Sequence, residues 1–132
     1  FSQFTPINQD TTFLNNEVFF LNKDTGYVVG QEWNFPGDGL ILRTLDGGQT
    51  WDTTRINGAP FLMCLAVPSA NVAYTGGQDG AVYKTIDGGI TWGYISTVPG
   101  FNNDCGDYFF INNDTGFALD FYGRIFKSID GA

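Results

Sequence analysis

The chain carries nearly the same eight-residue segment twice. TLDGGQTW, residues 44–51, returns as TIDGGITW, residues 85–92, and a shorter third version, SIDGA, covers residues 128–132. The aspartates of the three segments stand 41 and 43 residues apart. Self-similarity at this period indicates supersecondary units that stack on one another, because one unit alone cannot bury its apolar face. This repeat constrains the fold more than any other feature of the sequence.

A second marker recurs with the same period. FFLNKDTGY, residues 19–27, reappears as FFINNDTGF, residues 109–117, and LAVPSANVAY, residues 65–74, holds the equivalent place between them. Short runs rich in Val, Ile, Phe, Tyr and Thr alternate with turn residues, which indicates strands rather than helices. Each unit is therefore predicted to be a four-stranded antiparallel sheet, the blade of a β-propeller.

The predicted fold class is all-β, with about three such blades in a single propeller segment, residues 1–132. Residues 1–12 are predicted to form a closing outer strand, because FTPI at 4–7 resembles WGYI at 92–95 in the second unit. Blade 1 is predicted over residues 13–57, blade 2 over 58–98, and blade 3, without its outer strand, over 99–132.

Three blades do not close a ring, because natural propellers have about 4 to 8. We therefore expect the ring to be incomplete in this chain, or to be closed by oligomerisation or by sequence outside it. The remaining blades of a longer polypeptide, or a second copy of the chain, are the expected structural partners.

The repeated segment is predicted to be a structural turn between the third and fourth strands of a blade. Asp46 can accept hydrogen bonds from backbone amides of the turn, and the glycines can adopt the positive φ that other residues resist. Trp51 can lay its ring over the turn. One carboxylate per turn is few for Ca²⁺, which takes about 6 to 8 oxygen ligands, so no metal is expected. The residues assigned to these structural turns are Thr44, Asp46, Gly48, Thr50, Trp51, Thr85, Asp87, Gly89, Thr91, Trp92, Ser128 and Asp130.

These segments resemble a known family of repeats. The pattern T-x-D-G-G-x-T-W at residues 44–51 and 85–92 is similar to the Asp-box, or BNR repeat, of β-propellers. The phrase DTGYVVG followed by GLILRTLDGGQTW, residues 24–30 and 39–51, is especially similar to propellers of the photosystem II assembly-factor type. The resemblance implies a propeller fold in a group that includes sialidases, sortilin-like receptors and assembly factors, many of them secreted or in the bacterial envelope. We therefore expect a secreted or cell-surface protein.

The composition excludes several function classes. Six Lys and Arg stand against 14 Asp and Glu, a formal charge of −8 that repels phosphate backbones and anionic lipids. The chain has no His, which removes the Ser-His-Asp triad and most zinc or copper sites. No run approaches the roughly 18 apolar residues of a membrane-spanning helix. We expect no nucleic acid partner, no membrane insertion and no cofactor.

Catalysis by this chain is not expected. In sialidases the resemblance implies an arginine cluster, a tyrosine nucleophile with a glutamate partner, and an acidic residue as acid/base. Only Arg43, Arg55 and Arg124 are available here. Arg43 and Arg124 are placed on third strands, one residue before the repeated turn, in the position of Lys84, and so belong to the repeat framework. Two alternatives stay open: a fragment of a sialidase-like glycoside hydrolase with its catalytic residues elsewhere, and a structural or assembly-factor protein.

A binding site is predicted on the rim opposite the repeated turns, where the second-to-third strand turns meet the connections between blades. Aromatic rings beside amides and carboxylates suit a sugar or a peptide segment, so the expected partner is a protein or a glycan. The alternative is that Trp33 and Phe35 fold back and cover the blades. The candidate ligand-binding residues are Trp33, Asn34, Phe35, Asp38, Gln78, Asp79, Asn102, Asn103, Asp104, Phe121 and Tyr122.

The two cysteines match no metal-binding motif. Cys64 is placed on the inner strand of the second unit, and Cys105 just ahead of the inner strand of the third. Adjacent inner strands allow a disulfide and do not guarantee one, because the two Cα atoms must lie within about 7 Å. A disulfide and two buried thiols both stay open.

Overall fold

The computed structural model describes residues 4, 6, 12–34, 37–59, 61–101 and 104–132. Eleven strands and one single-turn 3-10 helix, Gln78–Gly80, make up the regular structure of these residues, which confirms the all-β prediction. The strands are β1 (Phe13–Phe20), β2 (Gly26–Glu32), β3 (Gly39–Thr44), β4 (Asp52–Ile56), β5 (Leu62–Ala66), β6 (Ala73–Gly77), β7 (Ala81–Thr85), β8 (Gly93–Thr97), β9 (Cys105–Phe110), β10 (Gly116–Asp120) and β11 (Ile125–Ser128).

The strands form three antiparallel sheets in which each strand pairs with the next one along the chain. The orders are β1-β2-β3-β4, β5-β6-β7-β8 and β9-β10-β11, which we name blade 1, blade 2 and blade 3. The inner strand of blade 2, β5, packs between the inner strands β1 and β9 of its neighbours. No described strand pairs with the outer edge of β11. Phe4, Pro6 and Thr12 are not in a strand, and the rest of the predicted closing strand lies outside the described residues.

Each inner strand carries a β-bulge. The pairing register shifts between Asn15 and Glu17 in β1 and between Leu62 and Cys64 in β5, each time opposite the end of the second strand. A bulge re-aims the extra side chain, and in blade 1 this residue is Asn16, whose Nδ2 donates to the carbonyl of Leu62 over 2.7 Å. The bulge in blade 1 thereby ties this blade to blade 2.

Two apolar cores lie between the blades rather than within them, because alternate residues of a strand face opposite neighbours. The core between blades 1 and 2 contains Tyr27, Val29 and Ile41 of the first blade. The core between blades 2 and 3 contains Tyr74 and Val82 of the second blade. Each blade is therefore buried by its neighbours in the stack, as a stacked repeat requires.

Hydrogen bonds repeat across both interfaces. The Tyr27 hydroxyl and the Arg43 guanidinium both donate to the carbonyl of Gly88 in blade 2, over 2.8 and 3.0 Å. In the next interface Tyr74 donates to the carbonyl of Asn113 over 2.6 Å, and Lys84 donates to that of Gly131 over 3.3 Å. An aromatic residue on the second strand and a cation on the third thus join each blade to the turns of its neighbour.

The prediction that Arg124 is the third member of this cationic series is wrong. Lys127 pairs with Phe117 in the register in which Arg43 pairs with Tyr27. Arg124 precedes β11, and its Nε donates to Asp120 over 2.6 Å, so it closes the β10–β11 turn.

Cys64 and Cys105 are joined by a disulfide, with Cα atoms 6.1 Å apart. Cys105 is the first residue of β9 and not, as the sequence suggested, a residue ahead of it. Both side chains are fully buried. The bond links the inner strands of blades 2 and 3, which β9 makes possible by running directly beside β5.

Candidate functional site

One end of the blades is formed by the repeated segments 44–51, 85–92 and 128–132, which we call the acidic turns. The Oδ1 of Asp46 accepts the backbone N–H of Thr50 over 2.9 Å, and its Oδ2 accepts the Thr50 hydroxyl over 2.6 Å. These bonds, the one from the Thr50 hydroxyl first, lower the pKa of Asp46 to about 2. The positive φ of Gly48, 88°, brings its N–H to the Thr44 hydroxyl over 2.8 Å.

The second acidic turn repeats this arrangement. Asp87 accepts the N–H and the hydroxyl of Thr91, and these bonds lower its pKa to about 2. The carboxylates of Asp46 and Asp87 thus accept their hydrogen bonds from residues of their own turns. No cluster of three or more His, Cys, Asp or Glu that could hold a metal ion occurs in the part of the chain that the structure describes.

The opposite end carries the second-to-third strand turns and the connections between blades, and we call it the rim. An open cleft of about 680 Å³ lies on the rim at the junction of blades 1 and 2. We call it the rim cleft. It is lined by Leu14, Gln31, Glu32, Trp33, Gly37, Asp38, Gly58, Ala59, Phe61 and Gln78.

A buried amide and an exposed indole define the character of the rim cleft. Gln31 is 6% exposed, and its Oε1 is buried with no hydrogen-bond partner among the described residues. Trp33 follows β2 and is 64% exposed. A buried acceptor without a partner costs about 1–3 kcal/mol, and a ligand N–H or O–H would relieve that cost.

Two carboxylates line the rim cleft, and each of them accepts a hydrogen bond from within the protein. Glu32 accepts the Nε of Arg55 through Oε1 over 2.7 Å. Asp38 accepts the backbone N–H of Gly58 over 3.0 Å, and its own carbonyl accepts the N–H of Glu32 over 3.1 Å. No Lys or Arg is among the described residues that line the cleft, so this lining offers acceptors and no cationic donor.

The structure brings together three of the predicted binding residues, Trp33, Asp38 and Gln78, in the rim cleft. Asn34 is exposed beside it, and Asp79, Asp104, Phe121 and Tyr122 do not line it. Phe35, Asn102 and Asn103 lie outside the described residues. The predicted set therefore divides between the cleft and other parts of the rim.

Sequence reasoning missed Gln31 and Glu32, and one signal could have found the first. Tyr27, Val29 and Gln31 alternate along β2 and face blade 2. A polar side chain at the third position of such an apolar series marks the place where the core ends and a site begins.

The β10–β11 turn is held by its own carboxylate. Burial of Asp120 opposes its ionisation, but hydrogen bonds from the Arg124 backbone and side chain outweigh this and lower its pKa. Its Oδ1 also accepts the N–H of Tyr122 over 3.0 Å. Asp120 thus has a structural role, while Phe121 and Tyr122 remain exposed at the tip of the turn.

A second cleft, of about 370 Å³, lies between β8 and β11. Its lining is mostly apolar and includes Val98, Phe110 and Phe126. The Tyr108 hydroxyl is buried there with no partner among the described residues, and burial raises its pKa. In blades 1 and 2 the fourth strands β4 and β8 pair with the third strand. In blade 3 the cleft adjoins the edge of β11, with which no described strand pairs.

Comparison with solved structures identifies propellers with the same architecture. A structure titled "YCF48 bound to D1 peptide" superposes with a TM-score of 0.77 at 21% identity, over 92% of this chain and 38% of that one. The GH74 enzyme of Niastella koreensis superposes with a TM-score of 0.62 at 20% identity, over 83% of this chain and 20% of that one. The chain thus spans well under half the length of either protein. The likeness shows the propeller fold.

No family model and no curated protein sequence matches the chain. Among the described residues, no helix is long and apolar enough to cross a membrane.

Proposed function

We propose that the protein is a non-catalytic β-propeller module that binds a protein or a glycan through the rim cleft. The observation that carries this proposal is the buried Oε1 of Gln31, which has no hydrogen-bond partner among the described residues and belongs to a cleft that the exposed Trp33 also lines. A flat aromatic face together with a buried acceptor is an arrangement by which binding sites combine apolar contact with orientation. The acidic turns at the other end serve the fold, in the manner of Asp-boxes.

Two facts support a binding role over a catalytic one. The arginines are apart from one another: Arg43 bonds blade 2 near the acidic turns, Arg55 pairs with Glu32, and Arg124 closes a turn of blade 3. The carboxylates of the rim cleft are held in structural contacts, Glu32 by Arg55 and Asp38 by the backbone N–H of Gly58, rather than paired with each other as two catalytic carboxylates would be.

We propose a secreted or cell-surface location, in keeping with the buried disulfide. Disulfides persist in oxidising compartments and are rare where glutathione keeps thiols reduced. The formal charge of −8 keeps such a protein soluble and disfavours anionic partners.

Replacing Trp33 with alanine tests the site. The protein is screened against a glycan array and, as bait, for captured proteins, and any partner found is then titrated with the variant. We expect affinity to fall about 30-fold, because truncating a central aromatic anchor costs about 2 kcal/mol or more. Tyr122→Ala, an equally exposed aromatic on the same rim outside the cleft, is the matched control and should bind normally. A partner that binds Trp33→Ala unchanged would place the site elsewhere.

We further propose that another blade covers blade 3. The face that in blades 1 and 2 packs on the next blade is bare in blade 3, where Phe109 and Ile125 are 65% and 70% exposed. Phe117 and Lys127 stand on it in the positions of Tyr27 and Arg43. The covering blade can come from a second copy of the chain or from further blades of the same polypeptide, and light scattering of the native protein distinguishes the two. A dimer of this chain supports a second copy, and a monomer of greater chain length supports blades in the same polypeptide. A monodisperse monomer of this chain alone would contradict both.

A further inference from the structure

The rim cleft combines a largely apolar lining with three side chains that carry acceptor oxygens, Gln31, Glu32 and Asp38. Gln31 presents a buried carbonyl oxygen with no partner among the described residues, and Glu32 and Asp38 add carboxylates. Trp33 adds the electron-rich face of an indole. No described lining residue carries a positive charge, and Arg55, which pairs with Glu32 of the lining, is itself outside it.

This chemistry calls for a ligand that brings donors and positive charge. An ammonium or guanidinium group has three to five N–H donors and no acceptor, so its chemistry matches both an amide oxygen such as that of Gln31 and a carboxylate such as that of Asp38. Such a cation is also attracted to the face of a tryptophan. A neutral sugar presents hydroxyls that both donate and accept, and it would leave the carboxylate of Asp38 without a counter-charge.

We infer that the rim cleft receives a Lys or Arg side chain of a polypeptide partner, held by the Gln31 Oε1, the Asp38 carboxylate and the ring of Trp33. The inference rests on the proposed function and names its ligand class. The cleft volume of about 680 Å³ exceeds what one side chain needs, which leaves room for flanking residues of an extended segment. The formal charge of −8 favours the approach of a basic partner over long range.

The position of Asp38 fits this role. Its backbone carbonyl accepts the N–H of Glu32 over 3.1 Å, which ties its main chain to β2. The Oδ1 of its carboxylate accepts the N–H of Gly58 in the connection to blade 2, which orients the side chain. Because the group is already oriented, little entropy is lost when a cation binds it.

Labelled peptides test the inference. Each peptide has a central Lys, Arg, norleucine or Glu within the same randomised flanks, and binding is measured by fluorescence anisotropy. We expect the Lys and Arg peptides to bind about tenfold more tightly than the norleucine peptides, a difference of about 1.4 kcal/mol, because only they can form a charge-assisted hydrogen bond in the cleft. Added salt should weaken the binding of the Lys and Arg peptides more than that of the norleucine peptides.

Three variants assign the preference to the cleft. Asp38→Asn keeps an oxygen for the N–H of Gly58 and removes the charge, so it should lower the Lys preference about fivefold. Gln31→Leu removes the buried acceptor and should have a similar effect, with its melting temperature measured to show that it folds. Asp114→Asn, the same charge change on the acidic-turn side, is the matched control and should leave the preference intact.

The outcomes separate this inference from the proposed function. A Lys or Arg preference lost in Asp38→Asn and kept in Asp114→Asn supports it. Equal binding of Lys, norleucine and Glu peptides would overturn it. A glycan bound by the protein and lost in Trp33→Ala would also overturn it, while the proposed function would stand. If neither peptides nor glycans respond to substitutions in the cleft, both proposals fail.

Discussion

Breaking the Cys64–Cys105 bond is expected to lower the free energy of unfolding by about 3 kcal/mol, which corresponds to a fall in melting temperature of about 10 °C. The two cysteines are 41 residues apart, so the bond removes a large closed loop from the freedom of the unfolded chain. In the folded protein it also joins the inner strands of two blades whose only other links are packing and two side-chain hydrogen bonds among the described residues, from Tyr74 and Lys84.

The comparison that isolates the crosslink is oxidised against reduced wild-type protein, measured by calorimetry. Reduction leaves both sulfur atoms in place, whereas Cys64→Ala with Cys105→Ala also removes buried volume. Both sulfurs are fully buried, so we expect a reductant to act slowly until denaturant opens the protein. The double alanine variant is the control, because its melting temperature should not respond to reductant. Equal melting of the oxidised and reduced wild type would contradict the prediction.

Gly77→Ala is expected to destabilise the protein by about 3 kcal/mol. A Cβ at this position would lie 1.5 Å from the carbonyl oxygen of Phe61. That oxygen belongs to the backbone beside the bulge of β5 and accepts the N–H of Gln78 over 3.2 Å, so it has no rotamer by which to move away. The first two strands of blade 2 would have to separate at the end that supports the rim cleft.

Gly93→Ala is the matched control for this substitution. It lies in β8, and a Cβ there meets nothing within 4 Å, so we expect a change within about 0.5 kcal/mol. Gly30→Ala should behave like Gly77→Ala, because a Cβ at Gly30 would lie 1.9 Å from the carbonyl oxygen of Leu14, opposite the bulge of β1. Urea denaturation of the three variants provides the test. If Gly77→Ala were as stable as Gly93→Ala, the result would contradict the close approach of Gly77 to the carbonyl oxygen of Phe61.

The blades could be predicted from the sequence because their signals are local. Strand alternation and turn residues act over a few positions, and the strands β1 to β11 fall within the three predicted blade ranges. The acidic turns are closed by residues at most four positions apart, such as Asp46 and Thr50. Such contacts are visible in the order of residues alone.

The residues of the rim cleft were predicted from the sequence only in part. Trp33 was among the predicted residues because it lies in a turn between strands, where side chains tend to be exposed and to carry function. Gln31 was missed because its place in the strand does not by itself show that its side chain is buried. It becomes unusual only in the folded protein, where its Oε1 is buried without a hydrogen-bond partner among the described residues. Arg124 was misplaced because the repeat was aligned by residue type, whereas the register of β10 and β11 selects Lys127.

The order of residues by itself determined the repeat, the four-stranded unit and the self-contained acidic turns, because each depends on neighbours within one unit. Tertiary structure alone decided that Cys64 meets Cys105, that blades 1 and 2 form a cleft lined by Gln31, and that one face of blade 3 is exposed. The physical reason is that these features arise between blades, where the stacking of the sheets sets distances that spacing along the chain does not encode.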